Sequence, residues 1–335
     1  MRKYYLLLTG VFIGFVFMAC NQKQQKIYDS MPEELAKIYR AIDKNPKDAS
    51  LYIQLSDYYL NIRQLDSALN NALIAVKLDS TNSDVYVSLS DIYFSMGNVD
   101  ATEDVLNKAI TLDKKNNSAY LKLGELYYIQ KDFKSSKEIL TQAIKQETHN
   151  PKAYFIMGWN YLGEGDTALA IRNMTHATDQ DPDYFDAYME LGLLYHGRLN
   201  PLAINYYNNA LNVQPNSIQV LYNMAMFYQE TEDYEKALEK YRMILQIDSK
   251  HRNALHNMGW VYMIGQEKYE EGMTFFTKAI EVDSSYVEAI YNRGYCFENL
   301  KQYENARQDY MYSLKLETNF PLAIEGLNRL DKLQK

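Results

Sequence analysis

The sequence predicts an all-α solenoid of eight helix pairs with a half-repeat cap at each end. Three observations predict it. A block of 34 residues recurs eight times between Ala49 and Phe320, starting at Ala49, Ser83, Asn117, Pro151, Phe185, Ile218, Arg252 and Val287. Position 8 of every block is small: Ser56, Ser90, Gly124, Gly158, Gly192, Ala225, Gly259 and Gly294. Position 11 is aromatic throughout, as Tyr59, Tyr93, Tyr127, Tyr161, Tyr195, Tyr228, Tyr262 and Phe297. Each block reads as two short amphipathic helices, and units of this kind bury their apolar faces by stacking on their neighbours.

The first element is a leader. Met1-Arg2-Lys3 is a short basic start, and residues 4–19 are almost wholly apolar. That run is shorter than the roughly 20 residues a spanning helix needs, so residues 1–19 read as a cleaved signal peptide. Phe17-Met18-Ala19-Cys20 resembles the bacterial lipoprotein signal, with Phe17 where that family prefers Leu. The resemblance implies that Cys20 is lipidated and becomes the mature N-terminus. The alternatives are an ordinary secreted leader or an uncleaved anchor. Each buried CH₂ contributes about 0.8 kcal/mol and a single chain binds only marginally, but lipoproteins of this kind carry two or three acyl chains. Residues 20–31 form the lipidated cysteine and a polar tether. Position 2 of the mature chain is Asn21, not the Asp of the enterobacterial inner-membrane retention signal, and the tether lacks the acidic pair that marks surface export in some Bacteroidetes lipoproteins. The resemblance therefore points to a lipid-anchored protein of the bacterial envelope, at an outer membrane and facing the periplasm.

Residues 32–48 read as a lone second helix that caps the array, because Ala41-Ile42 and Asn45-Pro46 match a repeat's closing residues. Residues 49–320 hold the eight repeats. The second helix of each starts with another small residue: Ala68, Thr102, Ser136, Ala170, Ala203, Ala237, Gly272 and Ala306. Small residues let two helix backbones approach, and a larger side chain there costs roughly 1–3 kcal/mol by overpacking. Near its end come Ala75, Ala109, Ala143, Ala177, Ala210 and Ala279, with Ile244 and Ser313 as departures. The fifth block is one residue short near Leu199–Asn200 and the seventh one residue long near Gln266–Glu267; both slips are assigned to the turn between the two helices. Residues 321–335 read as a lone first helix, with Ile324, Leu327 and Leu330 inward and Glu325, Arg329, Asp331 and Lys332 outward. The whole pattern resembles the tetratricopeptide repeat family. That resemblance implies a right-handed superhelix that holds partner molecules, its first helices lining a concave groove with positions 2, 5, 6, 9, 12 and 13 pointing into it.

Composition excludes some functions. A net charge of −8 leaves no basic face for nucleic acid. With Cys20 lipidated, Cys296 is alone and an intramolecular disulfide is impossible. No phosphate loop, His-Glu-x-x-His or Gly-x-Ser-x-Gly occurs, and the five histidines are scattered, so neither an enzyme nor a cofactor is expected. Asp179, Asp181, Asp183 and Glu190 mimic a calcium loop, but Tyr184 occupies the place that needs Gly. The same stretch reads as an ordinary repeat-closing turn.

The groove positions carry the functional expectation. Position 9 is acidic in the first three repeats, as Asp57, Asp91 and Glu125, and apolar in the next five, as Trp159, Leu193, Met226, Trp260 and Tyr295. Position 5 adds Phe155, Met189, Tyr222, His256 and Tyr291. An apolar stripe of this kind marks an interface, unless the rings pack against neighbouring helices. Position 6 supplies Asn223, Asn257 and Asn292, whose amides can donate to and accept from an extended backbone; a solvated face is the plain alternative. Three such bonds contribute about 2–4 kcal/mol, only millimolar affinity, so the aromatic residues must supply the rest. The acidic positions favour a partner with Lys or Arg at one end. The sequence thus reads as an envelope scaffold for a protein or peptide. A binder of small apolar ligands or glycans is the alternative, and a homo-oligomer burying the same stripe is a further arrangement.

Overall fold

The computed structural model describes residues 28–333, and the described residues are helical throughout, with no strand. They fall into two compact units that divide between Asp166 and Thr167. The first unit holds α1 (Glu33–Lys44), α2 (Ala49–Asn61), α3 (Leu65–Leu78), α4 (Ser83–Ser95), α5 (Val99–Leu112), α6 (Asn117–Ile129), α7 (Phe133–Gln146) and α8 (Pro151–Gly163). The second holds α9 (Thr167–Gln180), α10 (Phe185–His196), α11 (Leu202–Val213), α12 (Ile218–Glu230), α13 (Tyr234–Ile247), α14 (Arg252–Trp260), α15 (Tyr269–Val282), α16 (Val287–Asn299), α17 (Tyr303–Leu316) and α18 (Pro321–Leu333). Even-numbered helices from α2 to α16 are the first helices of repeats, and the odd-numbered helix after each is its second. The fourth repeat contributes α8 to one unit and α9 to the other.

Local chemistry sets where the first helices start. Asp48, Asn82, Asn116, Asn150, Ser217 and His251 each accept a backbone N–H from the first turn of the helix that follows. Two of these caps also tie repeats together. Asn116 Nδ2 donates to Ser83 Oγ and Asp84 Oδ1, both at 2.8 Å, and Asn150 Nδ2 donates to Asn117 Oδ1 at 2.8 Å. The repeat-closing aspartates are used up in turns: Asp79, Asp113, Asp181, Asp248 and Asp283 each accept the N–H two residues ahead.

Packing explains the small residues at position 8. A Cβ on Gly192 would lie 2.3 Å from the Tyr207 ring, one on Gly124 2.7 Å from Leu140, and one on Gly259 2.8 Å from Phe276. Leu140, Tyr207 and Phe276 are fully buried, so each fills the space its glycine leaves open. Where position 8 is Ser56, its hydroxyl instead donates to the Ala68 carbonyl at 2.8 Å.

Three expectations need correction. The extra residue of the seventh repeat does not sit in the inter-helix turn; it is absorbed as a π-helical stretch, Val261–Gly265, that continues α14. Val261 and Met263 are buried, and widening the helix keeps them inward while the register advances. On α18 the inward side chains are Ala323, Gly326 and Leu330, with Leu327 half-buried against the same cluster as expected, whereas Ile324 is exposed. A Cβ on Gly326 would lie 2.5 Å from the Tyr310 ring, so the face of α18 that meets Tyr310 is the Gly326 face and Ile324 lies away from it. Arg329 is likewise not a free outer residue: its Nε and Nη2 donate to the Glu298 carboxylate at 2.8 and 2.9 Å.

No described helix is long and apolar enough to cross a membrane. The leader, Cys20 and the start of the tether lie outside the described residues.

Candidate functional site

In the first unit, α4, α6 and α8 carry the side chains of one pocket, with α5 as its floor. Its volume is about 290 Å³. Phe94, Leu106, Leu126, Tyr128, Ile129 and Trp159 make the apolar lining, and Asp91, Lys122 and Glu125 stand among it. The Trp159 indole stacks on Tyr128 with ring centroids 5.7 Å apart and planes 23° from parallel, and the tilted Phe155 ring has its centroid 4.5 Å away. With two rings packed against it, Trp159 is a half-buried surface set in place by its neighbours. Phe94 and Ile129 are largely exposed, at 47% and 57%. Apolar groups this open at a concavity are the usual mark of a contact surface.

The charges here differ from the expected acidic stretch. Lys122 Nζ donates to Asp91 Oδ1 at 2.6 Å, and Lys152 Nζ lies 2.9 Å from Glu125 Oε1. Each lysine comes from the next first helix, so two of the three acidic positions are neutralised within the fold. Asp57 on α2 has no such lysine, because the position that supplies Lys122 in the third repeat is Ser88 in the second. Its carboxyl is raised above the usual value, first by desolvation and then by the charge of Asp91, with Lys122 pulling it back.

The second unit uses its candidate residues differently. Leu193 is exposed, at 40%, while Met226, Trp260, Tyr295, Tyr222 and Tyr291 are half-buried. Trp260 packs against the buried cluster of Leu221, Tyr241, Met258 and Val261. Tyr291 lies against Tyr310 and Phe320, and the Arg329 guanidinium covers Tyr295 at 5.7 Å. In the first unit Phe155 is buried, at 3%, so it supports Trp159 and presents no surface of its own.

The three asparagines are not equivalent. Asn292 Nδ2 donates to His256 Nε2 at 3.0 Å, so the neutral ring carries its proton on Nδ1, which lies 3.0 Å from Asn257 Oδ1. Asn257 Nδ2 in turn donates to the Tyr222 and Tyr241 hydroxyls at 3.0 and 3.1 Å. Tyr241 passes the chain on to Gln229 Oε1 at 2.9 Å. Asn257 and Asn292 are thereby engaged in a half-buried relay, and Asn223 is the one that makes no hydrogen bond among the described residues.

Phe94, Tyr128 and Ile129 were not singled out in the sequence, although they occupy positions 12 and 13 of their repeats. The signal was present, since those positions belong to the same helix face; reading positions 5, 6 and 9 alone passed over it. Among the described residues no group of three or more His, Cys, Asp or Glu is placed to hold a metal ion. Cys296 is buried, and burial followed by the charge of Glu270 pushes its thiol up to about 12, which makes it inert packing.

Comparison with known proteins agrees with this architecture. Tetratricopeptide-repeat profiles match residues 83–116, 118–149 and 253–286, residues 206–239 and 275–308, and residues 157–200, together more than half the chain. A search of curated proteins found no match. Among solved structures, the C-terminal part of a TPR repeat-containing protein from Cytophaga hutchinsonii is 18% identical with a TM-score of 0.63, over 72% of this chain and 99% of that one. PilF of Pseudomonas aeruginosa is 18% identical with a TM-score of 0.52, over 61% of this chain and 93% of that one. At such identities the likeness is one of fold.

Proposed function

The chain belongs to the tetratricopeptide-repeat family, and from that premise we propose that it is a non-catalytic scaffold of the bacterial envelope that holds a protein or peptide partner on its first-helix faces. The observation that carries this reading is the pocket built by α4, α5, α6 and α8. It combines a fixed indole, exposed apolar side chains and a charged rim, the composition of a binding hot spot and not of a catalytic centre. Affinity there comes from the aromatic surface, because the rim charges are mostly satisfied by one another.

The envelope location and the lipid anchor rest on residues 1–21 of the sequence alone. Partner capture by the full chain from its host's envelope, beside a Trp159→Ala variant, tests the scaffold reading. A partner lost in the variant, with stability lowered by no more than about 1–2 kcal/mol, supports it. The same partners held by both forms would remove the pocket from the proposal.

A small apolar ligand is the second reading, favoured by the partial enclosure of this pocket. Its 290 Å³ lies just under the roughly 300–1,000 Å³ of typical small-molecule sites. That size suits one bulky side chain better than a whole ligand.

A further inference from the structure

The first-unit pocket and the unmatched carboxylate beside it together define the chemistry of an occupant. We propose that the pocket takes a single bulky apolar side chain from an extended partner segment, while a Lys or Arg a few residues away pairs with Asp57. This inference rests on the scaffold reading above and adds the recognition motif to it.

Three observations support it. The first is size, as the cavity has room for one large side chain against Trp159 and Tyr128. The second is a pattern already filled twice within the fold. The position-9 carboxylates Asp91 and Glu125 each receive a lysine ammonium from the next first helix, Lys122 and Lys152. Asp57 occupies the same position in the first repeat, is exposed, and receives none from the described residues. Ser88 and Asp84 stand where the lysines would come from. The third is net charge, since three carboxylates at these positions face two ammonium groups, and an added cation restores balance. The Asp57 carboxyl is raised first by desolvation and then by the charge of Asp91, and Lys122, which is already paired with Asp91, offsets this only in part.

Geometry sets the spacing of the motif. Asp57 lies on α2, which packs against α4, and the pocket opens between α4 and α6. Packed helices stand about 8–10 Å apart, and an extended chain advances about 3.3–3.6 Å per residue, so the basic residue falls roughly two to four positions from the apolar one.

The test uses capped octapeptides of alanine and serine with one Phe, carrying Lys two, three or four residues to either side. Matched sets carry Ala or Glu in place of the Lys. Affinities for the full chain are measured by calorimetry, with octanoate and indole as small-molecule arms. At its preferred spacing the Lys peptide is expected to bind about fivefold tighter than the Ala peptide and at least about tenfold tighter than the Glu peptide. In Asp57→Asn the ratio of Lys to Ala peptide falls to about one, and in Trp159→Ala every peptide weakens by about tenfold or more. Equal binding of Lys and Glu peptides would overturn the proposal, as would octanoate or indole binding as tightly as the best peptide. Absence of all peptide binding would also overturn it. If envelope capture still depended on Trp159 in that case, the scaffold reading would stand without this motif.

Discussion

His256 is held half-buried on α14 with both ring nitrogens in use, one beside Asn257 and the other receiving Asn292. Desolvation lowers its pKa below the ordinary 6.5; the Asn257 bond and Glu288 act against that shift, and Arg252 acts with it. Between the lowered value and about 6.5, the unfolded chain binds a proton that the folded chain refuses. The stability supplied by the neutral ring is therefore complete above about pH 6.5 and declines as pH falls toward the folded pKa. Melting temperature is expected to drop between about pH 7.5 and about pH 5.5, and to drop less in His256→Gln, which cannot titrate. Parallel pH profiles for the two proteins would rule out this role. The sequence placed His256 and Asn257 on the same helix face, but not their direction of donation. That depends on Tyr222, Tyr241 and Asn292, which come from other helices.

At the scale of the helix pair, the fit between position 8 and the buried side chain from its partner helix decides stability. Gly192→Leu on α10 would drive a side chain into Tyr207, which is fully buried and has its hydroxyl 3.2 Å from His196 Nδ1. The ring has nowhere to move, so a loss of about 2–3 kcal/mol or more is expected in chemical denaturation. Gly197→Ala, just past the end of the same helix, meets only the Leu193 carbonyl at 3.6 Å and has a helical φ of −59°. It should be neutral or raise stability by up to about 1 kcal/mol. Comparable losses from both substitutions would show that the helix pair does not depend on this contact. The pairing itself was legible from the 34-residue period and its small residues. The π-helical stretch in the seventh repeat was not, because an insertion of one residue fits a turn or a helix equally well until Val261 and Met263 are seen buried. Ile324 escaped for a similar reason: its spacing suits an inward face, but the glycine-to-ring contact of Gly326 sets the rotation of α18.

For the whole molecule, the proposed anchor makes a separable prediction. Cys20→Ser should leave helicity and melting unchanged, because Cys20 precedes the first described helix, and should move the protein from the membrane fraction to the soluble one. Acyl chains contribute about 0.8 kcal/mol per buried CH₂, so a chain that lacks both them and the apolar leader has no comparable hold on a bilayer. Fractionation of the variant with membranes, as for the parent, would remove lipidation from the proposal. The repeat array itself is expected to respond to damage locally, since each repeat contacts mainly its neighbours.

The sequence by itself determined the helix pairs and the small residues that let them close, and it proposed a face of each first helix for a partner. These are local and periodic properties, and eight copies of one pattern repeat the evidence for them. Only the tertiary structure decided which residues on that face are free. Phe155 turned inward beneath Trp159, Asp91 and Glu125 found lysines from the next repeat, and Asn257 and Asn292 were drawn into a relay. Trp159, Tyr128, Ile129, Phe94 and Asp57 remained available. The physical reason is that availability is a property of neighbours, and those neighbours lie about 30 residues away in the chain, one repeat on.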